Sequence, residues 1–137
     1  MALQASVAVR NGRADSVETV IGATAVLKIY DLTAGAPANC AAAITGTVLA
    51  TMTLPSDWMA AAASGAKAKS GTWQDASADA AGTADFFRLF ASDGTTCHLQ
   101  GTVTATGSGG DLTLDNTSIA SAQVVTITSF GWIEPNS

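Results

Sequence analysis

Thr83-Ala-Asp-Phe-Phe-Arg-Leu-Phe-Ala91, followed by Ser92-Asp-Gly-Thr95 and then by Thr96-Cys-His-Leu-Gln-Gly-Thr-Val-Thr-Ala105, decides the fold class. Ala84, Phe86, Arg88 and Phe90 alternate with Asp85, Phe87 and Leu89. Period two with large side chains on both sides predicts a strand covered on both faces, by its own chain or by a partner. Asp93-Gly94 is the strongest short hairpin signal, because both residues tolerate the left-handed backbone that a tight turn needs. Thr96–Ala105 returns as the paired strand, with Leu99 and Val103 as its large apolar members.

Toward the amino terminus, Ala25, Leu27 and Ile29 alternate with Val26, Lys28 and Tyr30, predicting another strand. Residues 31–43 break any period with Gly35, Pro37 and Asn39 and predict a loop. Thr45–Leu54 predicts a strand with Val48, Ala50, Met52 and Leu54 on one face and Leu49, Thr51 and Thr53 on the other. Pro55 ends it. Ser56–Gly65 reads either as one or two helical turns or as an apolar loop crossing one end of a sheet. Lys67–Asp75 predicts a strand of weak propensity around Trp73, and residues 75–82 a turn-like segment. Toward the carboxyl terminus, Gly107–Gly110 turns into a strand at Leu112–Leu114. Gln123–Pro135 predicts one long strand with a bulge near Gly131. The one helix candidate is 11–22, where Ala14, Val17, Val20 and Ile21 make an apolar stripe opposite Asp15, Glu18 and Thr19. Asn11 would cap it and Gly22 stop it. Leu3, Val7 and Arg10 extend the stripe backwards, so the helix can start earlier through Gly12, or residues 1–10 can be an extended arm. The sum is one domain over 1–137: an all-β antiparallel sandwich or jelly roll from residue 23 onward, with one short N-terminal helix.

The 137 residues carry a net charge of −5, with six basic residues scattered along the chain. No basic stripe exists for phosphates, so nucleic acid is not an expected partner. No apolar run approaches a membrane span, and the first residues lack a basic region followed by an apolar one, so folding in a cytoplasm is expected. Two reduced thiols, Cys40 in a loop and Cys97 in a core, follow from that expectation. Twenty-eight alanines swell an apolar fraction of 47%, while aromatics are 6%. Such a core depends on close packing of small groups or on a partner. The catalytic inventory argues against an enzyme. His98 is the sole histidine and sits on the polar face of a predicted strand. Cys97 beside it points to the other face, so the two cannot share a proton. Asp75, Asp79 and Asp85 do not fit a calcium loop, and Gly107–Leu114 is a single copy of a pattern that binds calcium only in stacked repeats. Nucleophile-elbow, phosphate-loop and dinucleotide fingerprints are absent from the sequence. No metal and no cofactor is expected.

Several longer stretches carry a resemblance. They are Ala8-Val-Arg-Asn11, Leu27-Lys-Ile-Tyr-Asp31, Ala61-Ala-Ala-Ser-Gly65 and the block from Gln74-Asp75 through Gly82-Thr-Ala84 to Phe87-Arg-Leu89. Asp111-Leu-Thr-Leu-Asp-Asn-Thr-Ser-Ile119 and Thr128-Ser-Phe130 complete the set, which spans nearly the whole chain. In this order they resemble small virion proteins of tailed bacteriophages, of the capsid cement, or decoration, type. The resemblance implies a jelly-roll-type fold bound to the outside of an HK97-like shell, with the major capsid protein and a second copy of the chain as partners. It carries over no catalytic residue. A tail- or fibre-associated host-binding module is the alternative, and its ligand groove would draw on Trp58, Trp73 and Trp132. The apolar surplus at Trp58 and Met59, and in the arm at Leu3 and Val7, marks these four as candidate subunit contacts, unless Trp58 closes one end of the sandwich. Phe87, Leu89, Val125 and Ile127 are the expected core.

Overall fold

A computed structural model describes residues 1–136. The hairpin that decides the fold is present. Its strands are β6 (Phe86–Phe90) and β7 (Cys97–Ala105), paired antiparallel from Phe86↔Thr102 to Phe90↔Cys97. Gly94 holds a φ of 68° in the turn, and the Asp93 carboxylate accepts the N–H groups of Thr95 and Thr96. The Thr96 hydroxyl, joined by those N–H groups, holds the Asp93 carboxyl well below the usual carboxylate range. On the other side of β6 lies β1 (Val26–Leu32), and outside it β2 (Gly46–Thr53). With β8 (Leu112–Leu114), the main sheet runs β2-β1-β6-β7-β8. The molecule is mainly β, with one helix and a curled sheet.

The expected strands hold in place but not in detail. Ile29 pairs with Ala50 and Tyr30 with Val48, leaving Leu49 as an extra residue. This bulge breaks the expected alternation, so Leu49 and Ala50 are both fully buried and Val48 is not. The β7/β8 pair is parallel rather than antiparallel. Parallel neighbours usually need a crossover of about a dozen residues or more. Here residues 106–111 suffice, because Gly107 and Gly109 take φ of 89° and 82°. The returning chain is then pinned where Asp111 Oδ2 accepts Thr102 N and Oγ1 at 2.9 Å each. The two long strands expected at 67–75 and 123–135 are each broken in two. They form β3 (Ala66–Ala68) and β4 (Trp73–Asp75), then β10 (Val125–Ile127) and β11 (Gly131–Ile133). The breaks face each other: β4 pairs with β10 and β3 with β11, the registers differing by one residue. Gly71 turns at the break with φ 71°. A two-residue ladder joins β5 (Gly82–Thr83) to β9 (Ser118–Ile119). The outer edge of β2 meets β4 and the segment after it: Thr51 N donates to Asp75 Oδ2 and Asp79 N to Leu49 O.

The inner face collects Leu27, Ile29, Phe87, Leu89, Val125 and Ile127 into one cluster with Met52, Leu112 and Trp73. The expected core residues Phe87, Leu89, Val125 and Ile127 are therefore core. A chain of aromatic contacts crosses it. Trp58 lies 5.9 Å from Trp73, Trp73 lies 5.4 Å from Phe130, and Phe130 lies 6.1 Å edge-on from Phe87. Such pairs add about 0.5–1.5 kcal/mol each beyond the area they bury.

Three expectations are overturned by the folded geometry. Trp58 and Met59 are 0% and 2% exposed, so they are not subunit contacts. Ser56–Gly65 is neither helix nor crossing loop. Residues 58–63 are the first arm of a hairpin that returns at 66–69, turning through Ser64 and Gly65 at φ 53° and 77°. Ala63 and Ala66 exchange both backbone hydrogen bonds across this two-residue turn. The arm lays Trp58 inward, and its Nε1 donates to Gly22 O at 2.9 Å. Cys40 and Cys97 are not two free thiols but a disulfide, with Cα atoms 5.3 Å apart. The expectation of reduced thiols rested on compartment, not on geometry: Cys97 sits where the β6/β7 hairpin ends, and the loop carrying Cys40 is folded over it. Trp58→Ala should destabilise the fold by about 3–5 kcal/mol in urea titrations, the cost of emptying a buried aromatic site. Leu3→Ala, at 91% exposure, should stay within about 0.5 kcal/mol of the parent.

Candidate functional site

The surface built around the helix is the part of the molecule that differs most from a plain β-domain. Helix α1 spans Val7–Ile21. Its cap is Ser6, whose Oγ accepts Val9 N, and not Asn11, so the helix begins earlier than 11–22 and runs through Gly12. The arm is thus residues 1–5, and Val7 belongs to the first helical turn. The expected apolar stripe is not what faces the body. Ala14 and Ile21 are buried and Val17 is half-buried, but Val20 is 68% exposed. The inward face also carries Asn11, Asp15 and Glu18, at spacings of four and three that keep them on one side of a helix.

These three side chains read the edge of the 58–65 arm. Asn11 Oδ1 accepts Gly65 N at 2.8 Å, Asp15 Oδ1 accepts Ala62 N at 3.0 Å, and Glu18 Oε1 accepts Met59 N at 3.1 Å. Every third residue of the arm thus gives its N–H to a carboxylate or amide on the inward face of the helix. An exposed strand edge is thereby closed. From the second strand of the hairpin, Lys67 reaches beneath the helix. Its Nζ lies 2.7 Å from Asp15 Oδ1, 3.0 Å from Glu18 Oε2 and 2.9 Å from Ala60 O. Burial works against the charge on Lys67, but the hydrogen bonds to Asp15 and Glu18 outweigh it and hold the ammonium above its usual range. The hydrogen bond from Lys67, joined by Ala62 N–H, holds the Asp15 carboxyl below its usual range. Arg10 completes the grip, donating to Glu134 O and Ser64 O, and Arg13 pairs with Glu134 at 3.5 Å.

What this leaves outside is apolar. Met1 and Leu3 are fully exposed, and Val7 and Val9 are about half exposed. Leu3, Val9, Arg13 and Pro135 line a groove of about 500 Å³ at the base of the arm. Beyond β11, Ala60, Ala61, Ala63, Ala66, Ala68 and Ile133 line a second groove of about 450 Å³. Ile133 is 73% exposed. Of the four expected contact residues, the structure therefore places Leu3 and Val7 on this rim and Trp58 and Met59 beneath it. Ile133 and Val9 belong to the rim without having been singled out, and so do the alanines that follow Met59, which the apolar surplus of that step includes. The alanine run was visible in the sequence, but its outward face follows from a hairpin that the sequence did not reveal.

The groups of catalytic type are engaged elsewhere. Asp75 accepts from Thr51 and Ser77, Asp79 from Thr51, Asp85 from Leu32 and Asp111 from Thr102. His98 is half-buried beside Val17, Val20 and Leu99. Among the described residues, no three His, Cys, Asp or Glu side chains converge on a point that would hold a metal, and no helix is long and apolar enough to cross a membrane. In comparisons with protein-family models, with curated proteins and with solved structures, nothing matches this chain.

The ion cluster, together with Asp93 in the β6/β7 turn, sets the pH response. An Asp whose folded pKa is depressed stabilises the fold above its unfolded value, about 3.9, and loses that contribution as pH falls through the folded value. A Lys whose folded pKa is raised contributes below its unfolded value, about 10.4, and loses it as pH rises through the folded one. The thermal midpoint should therefore fall in acid below about pH 4 and in alkali above about pH 10. Asp15→Asn should reduce the acid limb, leaving the part that belongs to Asp93, and Lys67→Met should flatten the alkaline limb, in melts followed by circular dichroism.

Proposed function

We propose that the chain is a non-enzymatic virion structural protein. It binds the outside of a phage capsid shell and stabilises it, as a cement or decoration protein with a sandwich or jelly-roll domain. The observation that carries the reading is the apolar rim. The projecting arm with Met1 and Leu3, the groove at its base and the alanine-lined groove beside Ile133 offer a surface to cover on a partner. The sequence resemblance supports it, because the quoted motifs run in order through the chain. The partners on this reading are the major capsid protein of an HK97-like shell and a second copy of the chain as a homodimer, assembled in the host cytoplasm. Modest contacts suffice on a shell, since symmetric neighbours raise the effective concentration of each one. The alternative of a tail or fibre module reading host ligands with tryptophans has one of the three to draw on: Trp58 and Trp73 are buried, and Trp132, which lines the alanine groove, spends its Nε1 on Glu134.

The test compares deletion of residues 2–5, which stops short of the Ser6 cap, with Phe87→Ala. The deletion should leave the melting temperature within a few degrees of the parent while co-sedimentation with purified shells is lost. Phe87→Ala should lose about 3–5 kcal/mol of stability, because it empties a core site. A truncated chain that still decorates shells at full occupancy would remove the arm from the attachment surface. Copy number per particle separates the two virion readings: hundreds mean shell, a handful mean tail.

A further inference from the structure

Residues 33–45 form the loop between β1 and β2, and three devices hold it over the outer face of the β6/β7 hairpin. Arg88 is one of two charged residues buried in the fold, at 5% exposure, and unlike Lys67 it is answered by neutral groups. Its guanidinium donates to Asn39 O at 3.1 Å, Ala42 O at 2.7 Å and Gln100 Oε1 at 3.2 Å. Gln100 in turn donates through Nε2 to Pro37 O at 2.8 Å. Cys40 lies between the two carbonyls that Arg88 grips, and it is bonded to Cys97. A guanidinium presents its donors in a fixed planar fork, so two loop carbonyls and one amide set the loop's position without the sulfurs.

We propose that the Cys40–Cys97 pair is a redox-responsive lock on a loop already seated by the Arg88–Gln100 clamp. The cysteines are 57 positions apart, and in an open chain the entropy of closing such a span keeps the two sulfurs apart. The clamp removes that cost in advance and leaves the Cα atoms 5.3 Å apart, inside the range a disulfide spans. The Leu99 carbonyl lies 3.5 Å from Cys97 Sγ, placed to accept the thiol proton once the pair is reduced. In the presence of a small-molecule disulfide such as oxidised glutathione, one protein thiolate attacks a glutathione sulfur and expels one glutathione thiolate. The second protein thiolate then attacks the mixed disulfide and expels the other. Two protein thiols thus become one disulfide, and one oxidised glutathione becomes two thiols. The chain folds with its loop in place where thiols stay reduced and becomes covalently locked where they do not.

The experiment uses the full chain, reduced with dithiothreitol, freed of reductant and returned to oxidised glutathione, with thiol loss followed by mass spectrometry. Amide exchange of residues 33–45 is read on the reduced protein. The reduced parent should keep this segment protected and should form the disulfide at least about ten-fold faster than Arg88→Gln. Arg88→Lys, which keeps the charge but loses the fork, and Gln100→Ala should fall between them. Where Arg88→Gln fails to fold, these two milder variants decide. Exchange in 33–45 as fast as in the unfolded chain in the reduced parent, or variants that oxidise at the parental rate, would overturn the proposal.

Discussion

The hydrogen bond from a strand-edge N–H to a side-chain carboxylate is the interaction on which the rest of this structure leans. Most of its strands are two or three residues long, and short strands leave many backbone donors without a ladder partner. Acids fill the gaps. Asp31 takes Thr83 N, Asp75 takes Thr51 N, Asp85 takes Leu32 N, Asp111 takes Thr102 N, and Asp15 and Glu18 take Ala62 N and Met59 N. An ionised acceptor makes a stronger bond than a carbonyl does, and one carboxylate can take two donors. The same bonds explain how a chain with 12% charged residues is still acidic: its acids work as pieces of the sheet edge rather than as a surface field.

Two buried cations show opposite solutions to one cost. Lys67 meets two carboxylates and a carbonyl, and its cluster fastens α1 to the hairpin beneath it. Arg88 meets neutral oxygens and fastens a loop to the sheet above it. Removing charge from water is expensive in either place, and the expense is offset by hydrogen bonds: Lys67 uses all three of its donors, and Arg88 uses its Nε and Nη2 groups. Among the described residues, no buried side-chain nitrogen or oxygen lacks a partner. Each cation organises a segment that hydrophobic burial alone would hold loosely, since α1 buries only Ala14 and Ile21 and the loop is mostly alanine, glycine and proline.

With its polar groups spent internally, the molecule turns small and aliphatic side chains outward around the arm and β11. A surface of that kind suits contact with a repeating partner better than capture of a small ligand. The groove beside Ile133 is lined mostly by alanines and other apolar groups, and Arg13 and Glu134, at the base of the arm, are paired with each other.

Periodicity by itself determined the β class, the β6/β7 hairpin with its Asp-Gly turn, the positions of β1 and β2, and the central core residues Phe87, Leu89, Val125 and Ile127. Those features rest on local alternation and turn chemistry, which neighbours in the chain specify. The tertiary structure alone decided the rest. It broke two expected strands at facing points and bulged β2 at Leu49, because pairing register is set across the sheet. It made β8 parallel through a short glycine return. It buried Trp58 and Met59, since the direction of the 58–63 arm depends on a turn at Ser64-Gly65 and on where α1 lies. It turned the polar stripe of α1 inward, because the hydrogen-bond demand of a distant strand edge outweighed the pull on Val20. It joined Cys40 to Cys97, because a contact between residues 57 positions apart depends on the folded path of the chain, which local pattern does not contain.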